Sequence, residues 1–246
     1  MCRRGEAVRP LTFIDVCAGI GGFSLGLEAA GMICKGQIEI DDYCTRILNK
    51  LWPHVPKWGD VKTINPAELP AVDLICGGYP CQPFSLTGER RGQEDDRHLW
   101  PFIKTIVAVK RPTWCLFENV VGHITMGLDE VLSDLGDIGY STAALVIPAC
   151  AVDAAHRRDR VWIMAHSPGN ELQRGEARAA ERLVQPLHQQ LAGFLLTGAR
   201  ASIPLARTYR SGHGVPAMSH RNRGLGNAVV PQLVERIARA IAAAGL

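Results

Sequence analysis

Leu11-Thr12-Phe13-Ile14-Asp15-Val16-Cys17-Ala18-Gly19-Ile20-Gly21-Gly22-Phe23 is the stretch on which the fold turns. Residues 11–16 are apolar apart from Thr12 and one acid, and read as a buried strand. The glycines that follow make a tight turn that opens a helix over residues 23–30, with Gly31 in the position that closes helices. Working outward, a strand over residues 33–38 leads to the acidic Glu39-Ile40-Asp41-Asp42 and a helix to about residue 51. A strand over residues 72–76 enters a polar loop that runs to about residue 98. A helix over 99–110 and a strand over 113–117 then repeat the pattern. Strands alternating with helices of this length predict an α/β protein with a doubly wound, mostly parallel sheet.

Further along, strand-like segments at 141–147 and 160–165 flank the basic run His156-Arg157-Arg158-Asp159-Arg160. From 167 to about 215 the pattern loosens into Gly, Gln, Arg and Ala. Val229, Leu233, Ile237 and Ile241 then recur every fourth residue, marking an amphipathic helix over 227–244 packed on the core. Pro231 is compatible with that helix because it falls in the first turn. The expected organisation is a catalytic and ligand-binding domain over 1–166, a small irregular module over 167–223, and a helix over 224–246 that returns to the first domain.

Hydrophobic residues make up 47% of the 246 and charged ones 21%, an ordinary balance for a globular enzyme. No apolar run approaches the ~20 residues of a membrane span, and the first residues lack a signal-peptide core, so a cytoplasmic protein is expected. The eight cysteines contain no Cys-x-x-Cys pair, which argues against a zinc site or a redox pair. Charge is uneven. Residues 1–150 carry 14 Lys and Arg against 18 Asp and Glu, whereas 151–246 carry 13 Arg, no Lys and 6 acids. An arginine-rich segment suits phosphate and base-edge contacts, and equally suits a solvated face.

The glycine turn lets backbone approach a ligand closely, although it is not the dinucleotide pattern G-x-G-x-x-G. Glu39 and Asp41 end the second strand about 20 residues later, where an acid can accept from both ribose hydroxyls. Either Asp41 or Asp42 also suits a helix N-cap. Asp60 in Gly59-Asp60-Val61 can accept from an adenine amino group or simply sit in a surface turn. The sharpest signal is Gly77-Gly78-Tyr79-Pro80-Cys81-Gln82-Pro83-Phe84-Ser85. A cysteine between prolines just past a buried strand is held rigidly at the sheet edge where ligands bind, which suits a nucleophile better than a core filler.

Pro80-Cys81-Gln82-Pro83-Phe84-Ser85 resembles the catalytic motif of the cytosine-C5 DNA methyltransferases. The resemblance continues in family order over residues 11–165 and 224–245. The Phe13–Phe23 stretch is similar to the cofactor motif, Glu118-Asn119-Val120 to the catalytic Glu motif, and the run at 156–160 to a Gln-x-Arg-x-Arg motif. Gly226-Asn227 ahead of a helix is similar to the last motif. The resemblance implies an S-adenosylmethionine-dependent methyltransferase fold of Rossmann-like type. It implies cofactor contacts from Phe13, Asp15, Ala18, Gly19, Gly21, Gly22, Glu39, Ile40, Asp60, Val61, Gly78, Pro80, Asn227 and Ala228. The mobile loop would bring Gln82, Ser85, Arg90, Arg91 and Arg97 to double-stranded DNA.

The implied chemistry explains the residue types. Cytosine C5 is too weak a nucleophile to take a methyl group directly, and a Cys81 thiolate adding at C6 activates it. Glu118, if protonated, eases the addition by bonding the base N3. Arg160, with Arg158 as a second candidate, can donate to O2. The base must leave the duplex stack to reach these groups. The chain departs from the family pattern at Cys17 and Ile40, where aromatic residues are usual, and at His156, where Gln is. Its recognition region is short, which leaves the target sequence unread. The expected form is a metal-free monomer, with a partner subunit as the route to missing recognition. Rival readings are a tRNA cytosine-C5 methyltransferase, a non-catalytic DNA-binding relative and, more distantly, a nicotinamide oxidoreductase.

Overall fold

The computed structural model of the chain describes residues 9–80, 98–152, 158–167 and 228–243. Seven strands form one sheet in the order β3-β2-β1-β4-β5-β7-β6. They are β1 (Thr12–Val16), β2 (Ile33–Ile38), β3 (Lys57–Trp58), β4 (Leu74–Gly77), β5 (Trp114–Val120), β6 (Ser141–Pro148) and β7 (Asp159–His166). The helices are α1 (Gly22–Ala29), α2 (Asp42–Leu51), α3 (Trp100–Lys110), α4 (Leu128–Asp137) and α5 (Pro231–Ala243). β1 to β5 run parallel, and β7 pairs antiparallel with both β5 and β6. The strand order reverses between β1 and β4, so the crevice for ligands opens at their carboxyl ends.

Period-two alternation sorts the strand residues onto two cores. Phe13, Leu74, Cys76, Trp114, Leu116, Trp162 and Met164 face α1 and α5, where they meet Phe23, Leu27, Val234, Ile237 and Ile241. Ile14, Val16, Ile75, Phe117, Val161 and Ile163 face α3 and α4 and meet Ile103, Val107, Val131 and Leu135. The expected four-residue stripe of α5 is buried as read: Val229, Leu233, Ile237 and Ile241 all lie in the first core. Helix α5 itself begins at Pro231, later than the expected 227, because proline lacks the N–H that the second turn needs.

Three further differences bear on the site. β5 continues past the expected end at 117 to Val120, so Glu118 and Asn119 are held in a strand. The short strand β3 and the helix α4 were not foreseen. In α4 the signal was present in buried Leu128, Val131 and Leu135, with Asp129 and Glu130 in the first turn where the helix dipole favours acids. The proposed 167–223 module falls outside the described residues, apart from Ser167.

Candidate active site

The first turn is shaped by backbone geometry. Cys17, Gly19 and Gly21 all have positive φ, of 56°, 56° and 88°. The left-handed region costs an ordinary residue roughly 1–2 kcal/mol, which glycine avoids. Gly21 has a second reason: a Cβ there would run into the Trp52 ring. The turn is tied to β2 through Glu39, whose carboxylate accepts from Gly19 N at 2.6 Å and from Asp41 N at 2.8 Å. Asp41 is the N-cap of α2, its side chain accepting from Cys44 N at 2.9 Å.

These elements enclose a cavity of about 360 Å³ at the carboxyl ends of β1, β2 and β4. Of the residues assigned to a cofactor, Ala18, Gly19 and Gly22 line it from the first turn, Glu39 and Ile40 from the end of β2, and Asp60 and Val61 from the loop after β3. Gly78 and Pro80 close it from β4, and Ala228 from the approach to α5. Ile40 is 67% exposed at the mouth. Gly22 is needed for closure, since a Cβ there would stand 2.8 Å from Val229 Cγ1.

Three assigned residues do not reach the cavity. Phe13 is fully buried in the α1–α5 core, because alternation turns it onto that face. Asp15 is also fully buried. It accepts from Ser24 N at 3.1 Å and Ser24 Oγ at 2.8 Å, anchoring α1 to β1. Gly21 packs on Trp52 instead. Cys81, Gln82, Ser85, Arg90, Arg91, Arg97 and Asn227 lie outside the described residues. The sequence reading missed Phe23, Lys62, Leu99 and Val229, all of which line the cavity. Val229 could have been read from its place beside Ala228 at the start of the amphipathic stripe.

Glu118 forms part of the cavity wall and is 7% exposed. It stands directly opposite Trp162 in the β5–β7 register, which puts both side chains on one face. Because β7 is antiparallel, its first residues arrive at the carboxyl end of β5, pairing Arg160 with Val120. Arg160 Nε thereby comes within 2.9 Å of Glu118 Oε1, as an ion pair without the alignment of a hydrogen bond. Arg158 shares a small recess with Glu118, Arg160 and Trp162. Burial pushes the Glu118 carboxyl above its ordinary range, against the opposing pull of Arg160 and Arg158. The structure thus brings together the acid and both arginines. Asn119 turns to the other neighbour: its Nδ2 donates to the Tyr79 carbonyl at 3.2 Å, and its Oδ1 accepts from Val120 N at 2.8 Å.

Residues 11–195 match the family model described as C-5 cytosine-specific DNA methylase. The chain belongs to this family. The match runs past residue 166, where the catalytic domain was expected to end. Among relatives, the C5 methylase chain is 37% identical over 165 residues to the Type II methyltransferase M.HgiCII of Herpetosiphon aurantiacus, covering 64% of this chain and 37% of that protein. It is 33% identical over 159 residues to the Type II methyltransferase M.HhaI of Haemophilus parahaemolyticus, covering 63% and 48%. This chain therefore spans less than half the length of these relatives. Its fold resembles a Spodoptera frugiperda DNMT2 mutant, with a TM-score of 0.56, 18% identity and 65% and 51% of the two chains covered. It also resembles a putative DNA modification methyltransferase encoded within an E. coli prophage, with a TM-score of 0.55, 25% identity and coverage of 64% and 47%. Among the described residues of this C5 methylase no helix is long and apolar enough to cross a membrane. No group of three His, Cys, Asp or Glu among them is placed to hold a metal.

Proposed function

We propose that the chain is a DNA (cytosine-5-)-methyltransferase that takes its methyl group from S-adenosylmethionine. The observation that carries the reading is Glu118: a buried acid on the wall of a nucleoside-sized cavity, paired at 2.9 Å with Arg160 and linked through Asn119 to the segment that leads into Cys81. The residues fit the cofactor. The Glu39 carboxylate keeps free lone pairs for two hydroxyls after its two backbone bonds, and Asp60, whose Oδ1 accepts from Lys62 N at 2.9 Å, keeps a second oxygen for an amino group. When bound, S-adenosylmethionine supplies an electrophilic methyl group.

Cys81 adds as thiolate to C6 of a cytosine turned out of the duplex, forming an S–C6 bond and moving electron density to C5. Glu118, whose carboxyl burial pushes upward against the pull of the two arginines, would in its protonated form donate to N3 as charge builds there. Arg160, and Arg158 beside it, donate to O2. After C5 has taken the methyl group it loses its proton and Cys81 leaves, restoring the ring. Gln82, Ser85, Arg90, Arg91 and Arg97 would fill the vacated stack and hold phosphates, and Asn227 would complete the cofactor cradle beside Ala228. The 167–223 module would read the sequence, alone or with a partner subunit. Acting on DNA, the enzyme works in the compartment that holds it, and the cytoplasmic monomer expected from the sequence remains the reading.

The test is tritium transfer from S-adenosylmethionine to random-sequence duplex DNA, with tRNA in parallel and bisulfite sequencing of the product. Cys81→Ala is expected to abolish transfer with cofactor binding retained. Glu118→Gln is expected to slow it by about 10²–10⁴-fold, the usual worth of an acid–base group. Normal turnover without Cys81, or methyl transfer to tRNA alone, would overturn the proposal.

A further inference from the structure

Between the end of β4 and Cys81 the chain offers few handles. Gly77 and Gly78 have no side chains, and Pro80 is exposed and lacks an N–H. Tyr79 is the residue that can fix the segment, and it is held at both ends. Its carbonyl accepts from Asn119. Its ring is buried against Trp100, Phe117 and His123, with centroids 5.6, 6.1 and 5.5 Å away. Its hydroxyl lies 2.9 Å from His123 Nε2. Ring packing leaves a side chain some freedom to slide, whereas a buried hydrogen bond sets its depth and direction.

His123 is itself fixed. It is buried on the 3₁₀ turn Val121–Thr125 that follows β5 directly, so it is covalently close to Glu118 and Asn119. Gly127 leaves room for the imidazole: a Cβ there would come within 3.0 Å of His123 Cε1. Burial lowers the imidazole's proton affinity, and with its hydrogen on Nδ1 the ring can accept the phenol O–H at Nε2. We infer that Tyr79 and His123 form a positioning pair that sets the Pro80–Cys81 step relative to Glu118. The inference rests on the reading of Cys81 as nucleophile. Rigid Pro80 passes the placement of Tyr79 to the next residue, and an error of about 1 Å at a reacting atom can cost about 10²-fold in rate.

The test is single-turnover methyl transfer by the full chain on random-sequence duplex DNA, for Tyr79→Phe, His123→Leu, the double variant and His123→Gln. Each of the first two is expected to lower the rate by about 10–100-fold, with S-adenosylmethionine affinity within about twofold of the parent. The double variant should lose no more than either single one, as partners in one contact do. His123→Gln, whose side-chain oxygen can still accept, should recover the rate with Tyr79 present and not with Tyr79→Phe. Additive losses, an unchanged rate, or a loss confined to cofactor affinity would overturn the inference. A second readout needs no turnover: the alkylation rate of Cys81 by iodoacetamide, resolved by peptide mass spectrometry. It should change by at least about threefold in Tyr79→Phe while exposed Cys150 is unaffected, and an unchanged Cys81 rate would overturn the inference. Retained transfer in Cys81→Ser would instead sink the nucleophile reading, so the two failures are distinguishable.

Discussion

Asp15 and Glu118 are both acids on the α1–α5 face of the sheet, and burial raises both, but they do different work. Glu118 keeps two arginines beside it and one side open to the cavity. Asp15 is sealed. Burial, aided by the charge of Glu39, pushes its carboxyl up to about 7, against the hydrogen bonds from Ser24. Asp15 Oδ1 and Gln37 Oε1, on neighbouring strands in register, find no donor among the described residues. A proton on Asp15 supplies one. The folded chain then holds a proton that the unfolded chain releases near its ordinary value of about 3.9. Stability from this group is therefore full at low pH and falls as pH rises from about 4 to 7. Asp15→Asn cannot titrate, so its melting temperature relative to the parent should climb between pH 5 and pH 8. A constant gap across that range would show that Asp15 is ionised in the fold.

At the scale of elements, the cavity depends on α5 lying tightly along α1. The contact is made by small residues: a Cβ on Gly26 would strike the Pro231 carbonyl and lie 2.5 Å from Val234 Cβ. Ala at a helix position is worth about 1 kcal/mol more than Gly, whereas overpacking costs about 1–3 kcal/mol. Gly26→Ala should thus be destabilising in urea titration. It should also weaken cofactor binding, because Ala228 and Val229, which line the cavity, lead directly into α5. Gly136→Ala, in α4 with nothing near its absent Cβ, should stabilise the protein by about 0.5–1 kcal/mol. The same substitution with opposite signs separates interhelix packing from helix propensity. If Gly26→Ala is as stable as the parent or more so, the α1–α5 contact is not close-packed. The antiparallel β7 belongs to this scale too. Residues 160–165 read as a strand, but its direction, which delivers Arg160 to Glu118, depends on pairing with β5.

At the scale of the molecule, the charge asymmetry sets the expectation for DNA. An excess of seven positive charges over residues 151–246, set against an excess of four negative ones before them, should release counterions on binding. Binding to duplex DNA is expected to fall with salt at a log–log slope of about −3 or steeper. A slope shallower than about −1 in fluorescence anisotropy would mean that the arginines are a solvated face. Over a chain of this length, the strand and helix sites of β1, β2, α2 and α3 were legible because apolar periodicity reports burial locally. Glu39, Asp60 and Glu118, which the family resemblance put in the site, all line the cavity. Phe13 and Asp15 lie off the cavity because strand alternation turns both onto the α1–α5 side, and Gly21 because it backs onto Trp52; motif membership does not say which face meets the ligand.

By itself the sequence determined the class of fold, the glycine turn, the acid after β2 and the family to which the chain belongs, since all of these rest on short-range spacing. Only the tertiary structure decided the strand order, the arrival of Arg160 beside Glu118, the sealing of Asp15 and the Tyr79–His123 bond. Those contacts join residues that the backbone separates by anything from 9 to 61 positions, and close packing brings them together through geometry that no local pattern encodes.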